Sequence, residues 1–197
     1  MWASSSAVYG DTTTLPKHED LPPAPLSPYA AGKFAGEAFA RVFTQTMGLP
    51  TVSLRYFNVF GPRQDSGSQY AAVIPQFICA LLAGARPTVF GDGGQSRDFT
   101  YVDNVVQANL SACTMRGDVE GVINIACGER YSLNQLLEVL ERILGVKPNP
   151  EYLPARLGDV RHSQASIERA VRLLGFAPTV GFEAGLARTV EFFRRAG

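Results

Sequence analysis

The sequence predicts an α/β protein built on a parallel sheet, and two observations carry that prediction. The β-rich runs Thr51 to Phe57 and Val122 to Ala126 are apolar on both parities, as strands covered on both faces must be. Stretches of helical periodicity alternate with them, which is the pattern of βαβ units. With 197 residues, 46% hydrophobic and 18% charged, the chain is long enough for one substantial core or two small ones.

In chain order, Trp2 to Tyr9 reads as the end of a strand running into a loop, and Gly10 to Leu26, with its several prolines, as a long loop. Ser27 then caps a helix, Pro28 suits its first position, and Gly48 with Pro50 closes it. Ala31, Ala35, Ala38, Phe39, Val42 and Phe43 form the apolar stripe of that helix, whose alanines would let another helix or a sheet approach closely. The strand Thr51 to Phe57 runs out into Asn58-Val-Phe-Gly-Pro-Arg63, at the strand end where such sheets bind ligands. A helix over Ala71 to Ala85 and short strands at Pro87 to Phe90 and Asp98 to Val102 follow. Gly91 to Gly94 reads as a turn, because it lacks the G-x-G-x-x-G spacing and no helix follows it. Asp103 to Arg116 is the next helix, before the strand Val122 to Ala126. Ser132-Leu-Asn-Gln135 is a capping box opening a helix to Leu144. Beyond residue 149 come a short extended piece, a loop at Arg156 to Ser163, and helices over 165–174 and 182–195.

The 18 basic residues balance the 18 acidic ones, so no general field draws the chain to nucleic acid or to an anionic membrane. Its longest apolar stretch, around Ala71 to Ala85, is broken by Pro75 and Gln76 and is too short to span a bilayer. Without a signal-like N-terminus, the expected location is the cytoplasm. Cys79, Cys113 and Cys127 are far apart among apolar neighbours and are expected to be reduced core thiols. With only His18 and His162 present, no zinc cluster is expected.

The candidate chemistry centres on Tyr29 and Lys33, four apart and hence on one face at the start of a helix. A free phenol titrates near ~10, so bringing it to neutrality takes roughly 4 kcal/mol, of which a nearby ammonium in a partly dry site supplies a share. The competing reading pairs Lys33 with Glu37 on the surface. Polar groups also recur where strands end: Ser4-Ser5-Ser6, Asn58, and Arg97-Asp98. Singly, each is explained as a turn former or a surface charge.

Taken in order, SSSAVYG, SPYAAGK, RYFNVFGPR, GDGGQSRDFTYVD and RLGDVRHS resemble the extended short-chain dehydrogenases, and among them the NAD-dependent nucleotide-sugar 4-epimerases, most nearly the bacterial UDP-N-acetylglucosamine 4-epimerases of polysaccharide synthesis. The resemblance covers essentially the whole chain. It implies the C-terminal portion of a Rossmann-like, doubly wound parallel sheet plus a small mixed α/β substrate-binding domain. Residues 1–62 and 98–127 would be the remaining part of the NAD-binding domain, and 63–97 and 128–197 the nucleotide-sugar-binding domain. The family's glycine-rich pyrophosphate turn has no counterpart here, so roughly 100 residues would precede this segment at about 30 per βαβ unit. The expectation is therefore an incomplete enzyme; a sugar-nucleotide-binding piece without catalysis is the reading of another class. The family's homodimer, packed through the tyrosine-bearing helix and its predecessor, is doubtful for such a piece.

The resemblance also implies roles. Tyr29 would be the base at the sugar 4-hydroxyl, and Lys33 would hold the nicotinamide ribose and lower the tyrosine's pKa. Ser5 would be the hydroxyl partner of the sugar O4, with Ser6 beside it. Tyr56 matches a cofactor contact and Asn58 a substrate-phosphate contact. Arg97 and Arg156 match the guanidinium groups on the diphosphate, and Asp159 a carboxylate at the nucleotide ribose. The Asp-Glu pair of dehydratases and the glutamate of decarboxylases are replaced by Ser6 and Ala7, so epimerisation leads. At the family's gatekeeper position stands Ser163 where hexose-only enzymes carry tyrosine, which predicts preference for UDP-N-acetylglucosamine and UDP-N-acetylgalactosamine over UDP-glucose. Alternatively, Ser163 only caps the helix expected near Ala165.

Overall fold

The structure is a computed structural model that describes residues 1–65, 67, 72–114, 121–155 and 160–196. Strand β1 (Trp2–Ser5) ends in a 3-10 turn over Ser6–Tyr9, and a long loop leads to α1 (Pro28–Met47). Strand β2 (Val52–Tyr56) is followed by β3 (Val59–Phe60), α2 (Val73–Leu82), β4 (Thr88–Phe90), β5 (Ser96–Arg97) and β6 (Thr100–Tyr101). Then come α3 (Val102–Thr114), β7 (Gly121–Ile125), β8 (Tyr131–Ser132), α4 (Leu133–Leu144), β9 (Glu151–Leu153), α5 (Glu168–Leu174) and α6 (Phe182–Ala196).

Strands β1, β2 and β7 form a parallel sheet with β2 in the middle, Trp2 opposite Ser53 and Val52 opposite Gly121. One face packs through Val52, Leu54, Ile123 and Ile125 against Val105 and Ala108 of α3 and Ala170 and Leu174 of α5. The other face carries Ser4, Ser53 and Arg55, all buried, under α1. A second core gathers α2, α4 and α6 around Phe60, Phe77, Leu136, Leu140 and Leu186. Short strand pairs β3–β6, β4–β9 and β5–β8 link these parts.

Local signals hold closely. Ser27 Oγ accepts from Ala30 N–H with Pro28 in the first turn, and Gly48 closes α1 in the left-handed conformation. At α4, both halves of the Ser132–Gln135 capping box are made.

Four expectations need correcting. The apolar stripe of α1 faces outward: Phe39 is 67% and Met47 71% exposed, while Ala30 and Glu37 are the buried residues of this helix. The sheet face beneath is polar, so the helix turns its small and charged side inward. For the same reason Glu37 does not form a surface pair with Lys33; it lies buried against Arg55 at 2.7 Å. The strand expected over Asp98 to Val102 is shortened to β6, with Val102 already opening α3, and Asp98 ahead of it turns its carboxylate inward to bind backbone N–H groups. Cys113 is exposed near the end of α3, and Cys79 and Cys127 are half-buried; all are free thiols.

Candidate active site

The end of β1, the start of α1 and the segment around Ser163 enclose a cavity of about 560 Å³. Ser5, Ser6, Tyr29, Lys33, Tyr56, Asn58, Arg97 and Ser163, separated widely in the chain, all reach its wall. Arg156 and Asp159 lie outside the described residues.

Ser5 is the extended residue that caps the 3-10 turn, its Oγ accepting from Ala7 N–H at 3.2 Å. That bond uses one lone pair and leaves the hydroxyl proton and a second lone pair for the cavity. The turn closes at Gly10 (φ +60°), where a Cβ would run into the Ala24 carbonyl, so glycine is required on two counts.

Tyr29 stands in the first turn of α1 and is 60% exposed. The Lys33 ammonium lies 5.6 Å from the Tyr29 ring centre, within cation–π reach, and donates to the Ala3 carbonyl at 2.9 Å. Trp2 braces it from the other side: its ring is 5.4 Å from the ammonium and its Nε1–H donates to the Lys33 carbonyl at 3.1 Å. That indole lies flat on α1 because position 36 is glycine; a Cβ there would occupy the ring. One turn below, Glu37 accepts from Ser4 Oγ and, bidentately, from Arg55 Nε and Nη2 at 2.8 and 2.7 Å. The guanidinium covers the Tyr9 ring at 4.5 Å. Helix α1 is thereby tied to β1 and β2 beneath the tyrosine and lysine.

Tyr56 reaches the cavity wall at the end of β2, but its hydroxyl donates to Asn109 on α3 at 2.9 Å, and burial raises its pKa. Asn58 holds a positive φ of 30°, a conformation asparagine tolerates better than most residues, and its Nδ2 donates to the Asp98 carbonyl at 3.3 Å. Arg97 is half-buried, with Nη1 donating to the Ser96 carbonyl at 3.0 Å. Ser163 is 7% exposed and its N–H donates to the Ser96 carbonyl at 3.0 Å. It does not cap the following helix, which begins at Glu168 with Ile167 at its N-cap.

The sequence reading missed three things. A second cavity of about 250 Å³ is lined by Phe90, Gln95, Phe99 and Leu133 and shares Asn58 and Arg97 with the first. The aromatic residue ahead of the Gly91–Gly94 turn was the available signal. Buried Asp98, accepting from the N–H groups of Cys127, Gly128 and Ala165 at 2.9, 3.1 and 3.2 Å, holds the Arg97 and Ser163 segments together. Burial pushes its carboxyl up to about 6 against those bonds. Lys17 lies buried on the first cavity's wall, and nothing in its sequence neighbourhood announces that.

The arrangement offers an exposed phenol over an ammonium, serine donors opposite, and a guanidinium where two cavities meet. No described residue on the first cavity's wall is acidic, so the wall favours anionic groups. The profile of the NAD dependent epimerase/dehydratase family matches residues 1–126. A UDP-glucose 4-epimerase of Mycolicibacterium smegmatis is 40% identical over 192 residues, 98% of this chain and 61% of the relative. The structure of a UDP-N-acetylglucosamine 4-epimerase from Methanobrevibacter ruminantium M1 in complex with UDP-N-acetylmuramic acid superposes with a TM-score of 0.95 at 44% identity, over 100% of this chain and 63% of that one. A UDP-glucuronic acid 4-epimerase from Bacillus cereus, in complex with UDP-glucuronic acid and NAD, gives 0.91 at 34% identity, over 99% and 61%. The chain thus spans about three fifths of the length of the curated relatives it matches.

Proposed function

The chain belongs to the NAD dependent epimerase/dehydratase family, and from that premise we propose that it carries the tyrosine side of an NAD-dependent UDP-sugar 4-epimerase, an isomerase working through a 4-keto sugar. The observation that carries this reading is the meeting of Tyr29, Lys33, Ser5 and Ser6 in one cavity that shares Asn58 and Arg97 with a second. Residues 1–62 and 98–127 would serve the cofactor, and 63–97 and 128–197 the nucleotide sugar.

The residues present fit NAD at its nicotinamide ribose: Lys33 presents an ammonium beside the exposed Tyr29, on a wall without a described acid. When bound, NAD supplies the group that takes a hydride from the sugar C4 and gives it back. Tyr29 Oη takes the proton of the 4-hydroxyl as that carbon is oxidised. Ser5 donates its hydroxyl proton to the sugar O4 while its oxygen accepts from Ala7 N–H. Arg97 and Asn58, at the junction of the cavities, hold the diphosphate, while Phe90 and Phe99 offer apolar faces to the base. A cavity of about 560 Å³ leaves space for a sugar to turn over between the two hydride transfers. Arg156 and Asp159 would complete the diphosphate and ribose contacts.

The 2-acetamido sugars UDP-N-acetylglucosamine and UDP-N-acetylgalactosamine are the preferred substrates in this reading, because Ser163 is small where it reaches the cavity. UDP-glucose is the second reading, supported by the relative of that activity. In the complete enzyme, Tyr29→Phe should lower kcat by about 10²–10⁴-fold with UDP binding retained; unchanged turnover overturns the assignment. Ser163→Tyr should remove acetamido-sugar turnover and spare UDP-glucose, whereas equal loss on both would refute the pocket argument. Titration of the chain itself with UDP and NAD separates a binding piece, which takes UDP alone, from one that completes a cofactor site.

A further inference from the structure

Lys17 lies in the loop between the Ser6–Tyr9 turn and α1, yet it is 2% exposed. Its main chain is pinned on both sides: the N–H donates to the Gln164 carbonyl at 2.7 Å, and the carbonyl accepts from Ser166 N–H at 2.8 Å and Asn124 Nδ2 at 3.0 Å. The side chain is thereby aimed at the turn that carries Ser5 and Ser6, where Nζ donates to the Gly10 carbonyl at 3.1 Å. An ammonium has three donors, and among the described residues this is the hydrogen bond it makes. A buried charge with one neutral acceptor is poorly compensated. Burial accordingly lowers the lysine's pKa, with Asp11 opposing and Arg97 adding to the shift.

Lys17 also stands on the wall of the larger cavity with Ser5, Ser6, Tyr29 and Ser163. Of the cations there, Arg97 sits at the junction with the second cavity and Lys33 lies beside the Tyr29 ring. Lys17, bonded through Nζ to Gly10 at the end of the turn that follows Ser5 and Ser6, shares the wall with the groups assigned to the sugar. We propose that Lys17 is a specificity-determining residue whose remaining N–H groups donate to an sp² oxygen, carbonyl or carboxylate, carried as a substituent on the sugar ring. The proposal rests on the UDP-sugar reading above. Charge-assisted bonds from an ammonium to such oxygens are stronger than neutral ones, so a substituent of this kind gains more from Lys17 than a plain hexose hydroxyl does. A lysine that only propped the Gly10 carbonyl would affect every ligand alike.

The test is calorimetric titration of the chain and of Lys17→Met and Lys17→Gln with UDP, UDP-glucose, UDP-N-acetylglucosamine and UDP-glucuronic acid. Glutamine keeps a donor for Gly10 without the charge, so it guards against a methionine variant that fails to fold. UDP and UDP-glucose should bind within about twofold of the parent, while one or both of the sp²-oxygen sugars lose about tenfold or more. The sugar that loses more identifies the oxygen as carbonyl or carboxylate. Uniform loss across all four ligands, or unchanged binding of both substituted sugars, overturns the proposal. A parent chain that does not bind UDP at all overturns the nucleotide-sugar reading, and this proposal with it.

Discussion

The two faces of the β1–β2–β7 sheet are held by opposite means. Toward α3 and α5, Val52, Leu54, Ile123 and Ile125 pack as an ordinary apolar core. Toward α1, Ser4 of β1 and Arg55 of β2 meet Glu37, and the contact is a buried ion pair with hydrogen bonds. Apolar packing is non-directional and tolerates small shifts, whereas a bidentate carboxylate–guanidinium pair fixes distance and angle together. The face that needs fixed geometry is the one bearing Tyr29 and Lys33, and it is the ionic one. Its helix keeps Phe39, Val42 and Met47 on the outside.

The most direct way to break the comparison is Glu37→Ala. It strands the Arg55 guanidinium, 2% exposed, and should cost about 3–5 kcal/mol in urea unfolding. The pair Glu37→Leu with Arg55→Met should recover most of that loss. A cost under about 1 kcal/mol for the single change would mean the ionic face does not depend on its pair.

Asp98 is a buried carboxylate that meets backbone N–H groups instead of a cation, and it sharpens the contrast through pH. Its carboxyl sits at about 6 when folded, against 3.8 as the ordinary value. Between these pH values the folded chain holds a proton that the unfolded chain has released. The contribution is thus fully present below 3.8 and lost as pH rises through about 6. The parent should lose about 2 kcal/mol relative to Asp98→Asn between pH 4 and pH 7. A flat difference across that range contradicts the assignment.

On the apolar face, Ile123→Val should cost about 0.5–1.5 kcal/mol, the price of one methyl in a packed core. The smallest effect is expected at the outward stripe of α1, where Phe39→Ser should stay within about 0.5 kcal/mol. A larger destabilisation there would mean the stripe is covered in solution.

Much of this was legible in sequence. The capping of α1 by Ser27 and Pro28, the Ser132–Gln135 box, and strands apolar on both parities are signals written within a few residues. The site motifs were legible because each lies in one short run, and Ser5, Tyr29, Lys33, Asn58, Arg97 and Ser163 were named from them. Cavity residues without such a run were not: Lys17 reads as a loop lysine, and Phe90 as an ordinary strand residue. Periodicity also identified the apolar stripe of α1 but not that it faces outward, since the face a helix buries depends on the sheet beneath it.

By itself, then, the sequence determined the order of helices and strands, their caps, and the residue types available for proton transfer and anion binding. Tertiary structure alone decided which charges are buried and what they meet: Glu37 with Arg55 rather than Lys33, Asp98 with three N–H groups, Lys17 with the Gly10 carbonyl. The physical reason is that caps and turns are satisfied by neighbours along the chain, whereas desolvation and pairing of a charge depend on partners brought together by the fold.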